Sequence, residues 1–369
     1  MPFTDHYLSL MGLAPKRMPE CSPWSNPDAE TYLTGIDYFD HPRQCRLKMQ
    51  ELYPELRLGI PETDDPKPRP RLSRQGESVS EDEKGAHHVR WGDGESSEWG
   101  WGKQFHSAEE VFAFSPLEHG DFTDIPVVES ADYSSEEIIY QRYLARIPEA
   151  ERYPDGQVPE GSEAGTGFYN TMFMWPLLTF GWELFLETCL DPRFERIMDE
   201  FAEINRRVFR AFARLPVRFI TCHDDIVNTR GLVCSPTWMR KYIYPRYEEF
   251  WAIMQAGGKR VVFMTDGNAN VVADDIMACG ATGIITEPHT QFKPIARKYE
   301  NLVLAGEGDN RVLTRNNPAE IEAMVRSMVE TGKITGGYMM SIGNHIPWNV
   351  PGEAIKRYLE LSRELAVRS

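Results

Sequence analysis

The stretch RVVFMTDGNANVVADDIMACGATGIITEP, residues 260–288, decides how the rest of the chain is read. An apolar, β-branched run turns at Asp266 and Gly267. A helix-forming segment then stops at Gly280, and a second apolar run, GIITEP, follows. Strand, helix and strand in so short a span make a parallel βαβ unit. Neither apolar run alternates with polar residues, as expected of strands covered on both faces. The first nevertheless delivers a carboxylate, Asp266, to its last position.

The same rhythm extends in both directions. Upstream, DPRFERIMDEFAEINRRVFRAFARL (191–215) starts with Asp191 as N-cap and Pro192 at the first helical position. Apolar residues at 194, 197, 198, 201, 204, 208 and 212 mark one buried face. The strand VRFITCHDD (217–225) follows, then a helix from SPTWMRKY (235–242), kinked at Pro245 and stopped by Gly257 and Gly258. Downstream come helix FKPIARKYE, strand LVLAGEGD, a helix opened by Asn317, Pro318 and Glu320, strand GGYMMSIGNH and helix GEAIKRYLELSREL. Consecutive βα units of this length predict an α/β fold, a (β/α)8 TIM barrel with an elaborated N-terminal region. The alternative, an open doubly wound sheet, lacks a G-x-G-x-x-G turn after any strand.

Residues 1–165 read as an N-terminal extension, an exposed loop at 61–85 and the first barrel elements. Residues 166–369 supply the remaining βα units of the same catalytic domain. The loop, rich in charge and proline, cannot bury enough apolar surface to order itself. HHVRWGDGESSEWGWGKQF (87–105) suggests a hairpin, and LRLGI (56–60) and TGFYNTMFM (166–174) suggest strands. A net charge of −16 argues against nucleic-acid or anionic-membrane partners. Six cysteines without a CxxC pair predict reduced thiols. With neither a signal sequence nor a long apolar run, the expectation is a cytoplasmic protein.

In a parallel barrel the C-terminal strand ends share one face, where active sites are built. Those ends carry His223, Asp224 and Asp225, then Asp266, then Glu287 and His289, then Glu307 and Asp309, then Asn344 and His345. Singly, each reads as well as a helix cap or a solvated loop residue. Together they suit either O/N ligation of Zn2+ or acid–base work. Cys222 should alternate away from His223, which disfavours a thiolate site. Trp91, Trp99 and Trp101 could line an aromatic pocket or fill a hairpin core.

DDIVNTRGLVCSPTWMRKYIYPRYEEFW, GEGDNRVLTRNNPAEIEAMV and GGYMMSIGNHIPWNVPGEAIKRYLE resemble motifs of the uroporphyrinogen decarboxylase superfamily over residues 190–365. That resemblance implies a (β/α)8 barrel and either tetrapyrrole decarboxylation or corrinoid-dependent methyl transfer. The decarboxylase's Arg-rich opening motif is missing, and APKRMPECSPW stands in the N-terminal region instead. Met264 and Asp266 occupy the positions of the methyltransferases' His-x-Cys, and Asn344 or His345 that of their last Cys, so their thiolate zinc site is absent. The chain is similar instead to methyltransferases that demethylate methoxylated aromatics. On this reading zinc is held by some of Asp266, Glu287, Glu307 and His345, while His223, Asp224 and Asp225 are catalytic. Arg230, Trp91 and Asn344 bind substrate, and a separate corrinoid protein accepts the methyl group. A decarboxylase anchored by Arg230, or a non-catalytic tetrapyrrole-binding barrel, are the alternatives. A homodimer is the default assembly.

Overall fold

Phe219, Ile220, Thr221, Cys222 and His223 send alternate side chains to opposite faces of one strand, and the architecture follows from that alternation. The computed structural model describes residues 3–24, 26–56, 58–67, 104–125, 127, 129–147, 163, 165–169, 171–347 and 349–368, with the backbone of three short strands between 78 and 98. Six strands make one parallel sheet in chain order: β1 (Gly165–Phe168), β2 (Phe219–His223), β3 (Arg260–Met264), β4 (Gly283–Ile285), β5 (Val303–Ala305) and β6 (Gly337–Tyr338). Beyond β6, Glu20 and Trp24 bridge in parallel to Met340 and Ile346, which continues the sheet with the N-terminal segment. The chain is thus α/β with a parallel sheet, and ring closure is not among the described strand pairings.

One face of the sheet belongs to the helices. Ile220, Cys222, Val261, Phe263, Ile284, Leu304 and Tyr338 are buried in the large core with residues of helices Phe194–Arg214, Tyr244–Ala256, Pro318–Gly332 and Gly352–Leu365. The other face has a separate small core of Val262, Val303, Ala305 and Met339, with Phe219, Ile285 and Cys21 packed on it. Leu10 of helix Asp5–Leu10 enters that core, and Arg260 Nη donates to Met11 O at 3.1 Å. This short helix therefore stops the N-terminal end of the sheet and leaves the C-terminal end for chemistry.

Cross-strand register sorts the inward residues into rows. Thr221, Val262, Gly283, Val303 and Gly337 pair across five strands, and His223, Met264, Ile285 and Ala305 form the next row up. Two residues further along, the third row is Asp225, Asp266 and Glu287. Glu307 would complete it by count. However, Gly306 takes φ +103°, so the strand end turns over and Glu307 faces the helix layer. There it accepts hydrogen bonds from Thr331 Oγ1 at 3.0 Å and Tyr338 Oη at 2.7 Å. A β-carbon at Gly306 would overlap the carbonyl oxygen of Thr286.

Several local expectations need adjusting. The helix expected to kink at Pro245 is two helices, Pro236–Tyr242 and Tyr244–Ala256, with Pro245 in the first turn of the second, where a missing N–H costs nothing. The helix expected from Asp191 begins at Phe194, and Asp191 accepts from Arg193 N at 2.8 Å just ahead of it. Asn317 caps its helix through Ala319 N and Glu320 N as expected. Segment 166–174 is strand only to Phe168, with a helix from Met174, and residues 56 and 58–60 are not strand. The hairpin is present as His87–Trp91 paired with Gly94–Glu98. A third strand, Ser78–Glu81, joins it from within the segment read as a loop. Residues 68–77 and 82–86 of that segment, with Trp99 and Trp101, lie outside the described residues. No helix among the described residues is long and apolar enough to cross a membrane.

Gly306→Ala should lower unfolding free energy by more than about 2 kcal/mol in denaturant titrations, since it adds both strain and overlap. Gly59, with open space around its α-carbon, is the control. Equal small losses at both positions would show that the turn at 306 does not depend on glycine.

Candidate active site

The second and third inward rows bring the acid and imidazole groups together. His223 Nε2 lies 2.9 Å from Asp225 Oδ1, and the same carboxylate oxygen accepts from the backbone N–H of Asp266 at 2.8 Å. One atom thus orients the imidazole and ties the end of β2 to the end of β3. Glu287 accepts from Gly267 N at 2.8 Å and from Asn344 Nδ2 at 3.2 Å, which ties β4 to its neighbour and to the loop after β6. Ligand atoms of His223, Asp225 and Asp266 all lie within 4.8 Å of one another. Among the described residues, this is the group of acid and imidazole side chains close enough to share one cation.

The electrostatics follow from that crowding. Burial opposes a charged imidazole at His223. The Asp225 hydrogen bond and the charges of Asp225, Asp266 and Asp224 outweigh it, and the net shift of the His223 pKa is upward. Asp266 keeps a solvent-exposed edge. Its carboxyl is nonetheless partly withdrawn from water and repelled by Asp225 and Glu287, and with His223 pulling the other way its pKa is pushed up to about 7. His223 Nδ1 is buried and has no hydrogen-bond partner among the described residues.

Asp224 plays a different part from Asp225. Alternation turns it outward, where it is fully buried and accepts from Phe173 N at 2.9 Å, Met174 N at 2.7 Å and Tyr247 Oη at 2.5 Å. Its carboxylate holds the start of helix Met174–Phe180 and the first turn of helix Tyr244–Ala256 against the sheet. Burial raises its pKa to about 6, against the pull of those donors. It is the support behind the site and does not face the cluster.

The remaining expected site residues spread out. Glu307 faces the helix layer, as described above. His345 is exposed, and its backbone N–H donates to Asn344 Oδ1 at 2.7 Å. Arg230 sits exposed at the tip of the hairpin Val227–Asn228 and Gly231–Leu232, with its N–H on Asn228 Oδ1 at 2.8 Å. That hairpin lies against the loop after β3, where Asn268 N donates to Asn228 O at 3.1 Å. Trp91 lies in the strand His87–Trp91, and its side chain is outside the described residues.

Sequence reasoning missed Tyr169, whose ring meets that of His223 edge-on with centroids 4.8 Å apart. The signal was there: inward Gly165 and Gly167 put Tyr169 on the same face two residues on. Beside it a cavity of about 690 Å3 is lined by Tyr169, Phe219, Thr221, Met264 and Ile285, with Glu129, Arg146 and Glu163 at its polar side. Arg146 already donates to Glu129 at 3.1 Å. Glu129 comes from an irregular segment with no pattern that could have pointed to it.

With this geometry established, comparison with known proteins is informative. Residues 189–365 match the family model for uroporphyrinogen decarboxylase (URO-D), over the span where the sequence motifs resemble that superfamily. Among solved structures, a methyltransferase from Methanosarcina mazei superposes with a TM-score of 0.58 at 16% identity, covering 98% of this chain and 99% of that one. At that identity the likeness concerns the fold. A D-psicose 3-epimerase with D-tagatose from Clostridium cellulolyticum H10 aligns with a TM-score of 0.31 at 12% identity, over 48% of this chain and 73% of that one. No curated protein sequence matches the chain.

Asp225 raises the pKa of both its neighbours, so Asp225→Asn should lower both. In NMR titrations, the His223 ring signal and the Asp266 carboxyl signal should each move to a lower midpoint than in the wild type. Opposite movements, or none, would mean that the three groups do not titrate as one cluster.

Proposed function

We propose that the chain is the methyltransferase component of an O-demethylating system. On this reading it takes the methyl group of a methoxylated, aromatic substrate and passes it to the Co(I) corrinoid of a partner protein. The observation that carries this reading is the convergence of His223, Asp225 and Asp266 at the C-terminal strand ends, beside a cavity walled by Tyr169, Phe219, Met264 and Ile285. The family match and the fold shared with a methyltransferase support the choice of reaction class.

The donor set suits a zinc ion. One imidazole and two carboxylates within 4.8 Å give three oxygen and nitrogen ligands, and the exposed edge of Asp266 leaves a side open to substrate. His223, Asp225 and Asp266 are the residues that would hold it, with Glu287 and Asn344 fixing the loops around them. A zinc ion bound there supplies Lewis acidity toward an ether oxygen. The chain's own groups provide the rest. Tyr169 and Phe219 offer ring faces to an aromatic substrate, and Met264 and Ile285 keep water from the methyl group. His223, oriented by Asp225, and Asp266 would hold the ion in their unprotonated forms, so binding it should release protons. As the methyl–oxygen bond breaks, the methyl group passes to the partner's cobalt, and the phenoxide oxygen takes its proton from water at the open side beside Asp266.

The family model's name favours a second reading, decarboxylation of a polycarboxylated tetrapyrrole. Such a substrate needs cations, but the mouth presents Asp225, Asp266 and Glu287. Arg146, on the cavity wall, is already bound to Glu129, and Arg230 is exposed on its hairpin and does not line the cavity. The acidic lining fits a neutral ether better.

The test pairs metal content with turnover. Purified without chelator, the wild type should carry about one zinc per chain, and Asp266→Ala and His223→Ala should each lose most of it. Under reducing, anaerobic conditions with cobalamin in the Co(I) state and a methoxybenzoate, the wild type should methylate the cobalt. His223→Ala should be slower by at least about a hundredfold. Release of CO2 from a porphyrinogen, with no methylation of cobalt by any methoxy-arene tried, would replace this reading with the decarboxylase.

A further inference from the structure

On the helix side of the sheet, away from the mouth, a second cavity of about 420 Å3 lies between residues 17–20, the turn at Pro54 and Glu55, Met340 and helix Gly352–Leu365. Its apolar wall is Met18, Pro19, Pro54, Met340 and Leu359. Glu20 lies on this wall with only 5% of its surface exposed.

Glu20 differs from the other buried carboxylates. Glu30 is paired with Arg46, and Glu129 has Arg146 and Arg142 within 3.1 and 3.8 Å. Asp224 has two backbone N–H groups and a phenol. Glu20 accepts from Ser22 N at 2.9 Å and Tyr358 Oη at 2.7 Å, with the Ser22 hydroxyl also bonding to it, and no cation pairs with it among the described residues. The nearby cations are otherwise engaged. Arg363 grips Glu55 at 2.6 and 3.0 Å, and Arg17, exposed at the rim, donates to Arg363 O. Burial, with Glu55 adding repulsion, pushes the Glu20 pKa up to about 7.

A second group on the same wall is also incomplete. Ser362 is 6% exposed, and its Oγ has no hydrogen-bond partner among the described residues. Buried hydroxyls and carboxylates are rarely left in this state unless something completes them. A carboxylate without a counter-ion, an unfilled hydroxyl and an apolar wall of this size suit an alkylammonium group, with Arg17 and Arg363 also on the cavity lining. Its N–H bonds would fill Glu20 and Ser362, its charge would pair with Glu20, and its chain would lie on Met18, Met340 and Leu359.

We propose that this cavity is a binding site for a small aliphatic amine, separate from the mouth of the sheet and independent of the reaction carried out there. An uncharged ligand of the same shape would leave Glu20 without its counter-ion, so charge should discriminate more strongly than size.

The probe is n-butylammonium, with n-butanol and butyrate as neutral and anionic analogues of similar length, titrated calorimetrically into the full chain near pH 8. The expected result is saturable, one-site binding of the amine, at least about tenfold tighter than butanol, and none of butyrate. Glu20→Gln and Ser362→Ala should each weaken the amine, the first by about tenfold or more. Should Glu20→Gln fail to fold, Ser362→Ala and the analogue series still decide. Amine and alcohol bound alike, an undetectable amine, or affinity untouched by either variant would each overturn the proposal. None of these outcomes depends on the methyl-transfer reading.

Discussion

A strand buried on both faces has no place for a charge until its ladder ends, and this constraint organises the molecule. Inward from β2 to β5 the rows are Thr221, Val262, Gly283 and Val303, then His223, Met264, Ile285 and Ala305. Only past the last pairs do carboxylates appear, and they appear together because register carries each strand to its end at a similar height. The cluster is therefore a product of the sheet. Its members come from different strands and are linked by backbone N–H groups, with Asp266 N on Asp225 and Gly267 N on Glu287. Such links hold the acids close in spite of their repulsion, and burial together with that repulsion moves Asp266 toward neutrality.

The same alternation shows how much could be read in advance. The βα order, the caps at Asn317 and Pro318 and the grouping of Asp225, Asp266 and Glu287 were all legible, because they rest on periods of two and on turn chemistry. Glu307 was misplaced because counting by twos assumes unbroken strand geometry, and Gly306 at φ +103° reverses the count. Asp224 obeys the rule that turns Cys222 outward, so it faces the helix layer while Asp225 faces the cluster. His345 follows a six-residue stretch after β6 that is tied to its neighbours by isolated bridges only, so alternation along a strand does not set its direction. Glu129 and Arg146, which border the cavity, belong to segments whose pattern says nothing about what they face.

Asp224 also shows what it takes to place an acid behind a site. Completely buried, it has no cation beside it among the described residues, and its donors include two N–H groups at the start of a helix, the phenol of Tyr247 and the hydroxyl of Thr171. A helix N-terminus suits a carboxylate for the same reason it suits any anion, since its first N–H groups lack partners within the helix. The helix beginning at Met174 is seated on the sheet by this contact, and Tyr169, five residues earlier, reaches the edge of His223. Fold and site are joined there by adjacent residues of one strand end.

Asp224 and Asp225 share a peptide bond but look in opposite directions, one toward His223 and the other toward Tyr247, whose ring stacks on Trp251 at 4.8 Å and 14°. The phenol that bonds to Asp224 lies flat against an indole. Indole emission responds to the position and charge of what stacks on it. Trp251 is thereby an optical neighbour of Asp224, set in dry core on the opposite side of the sheet from Asp225.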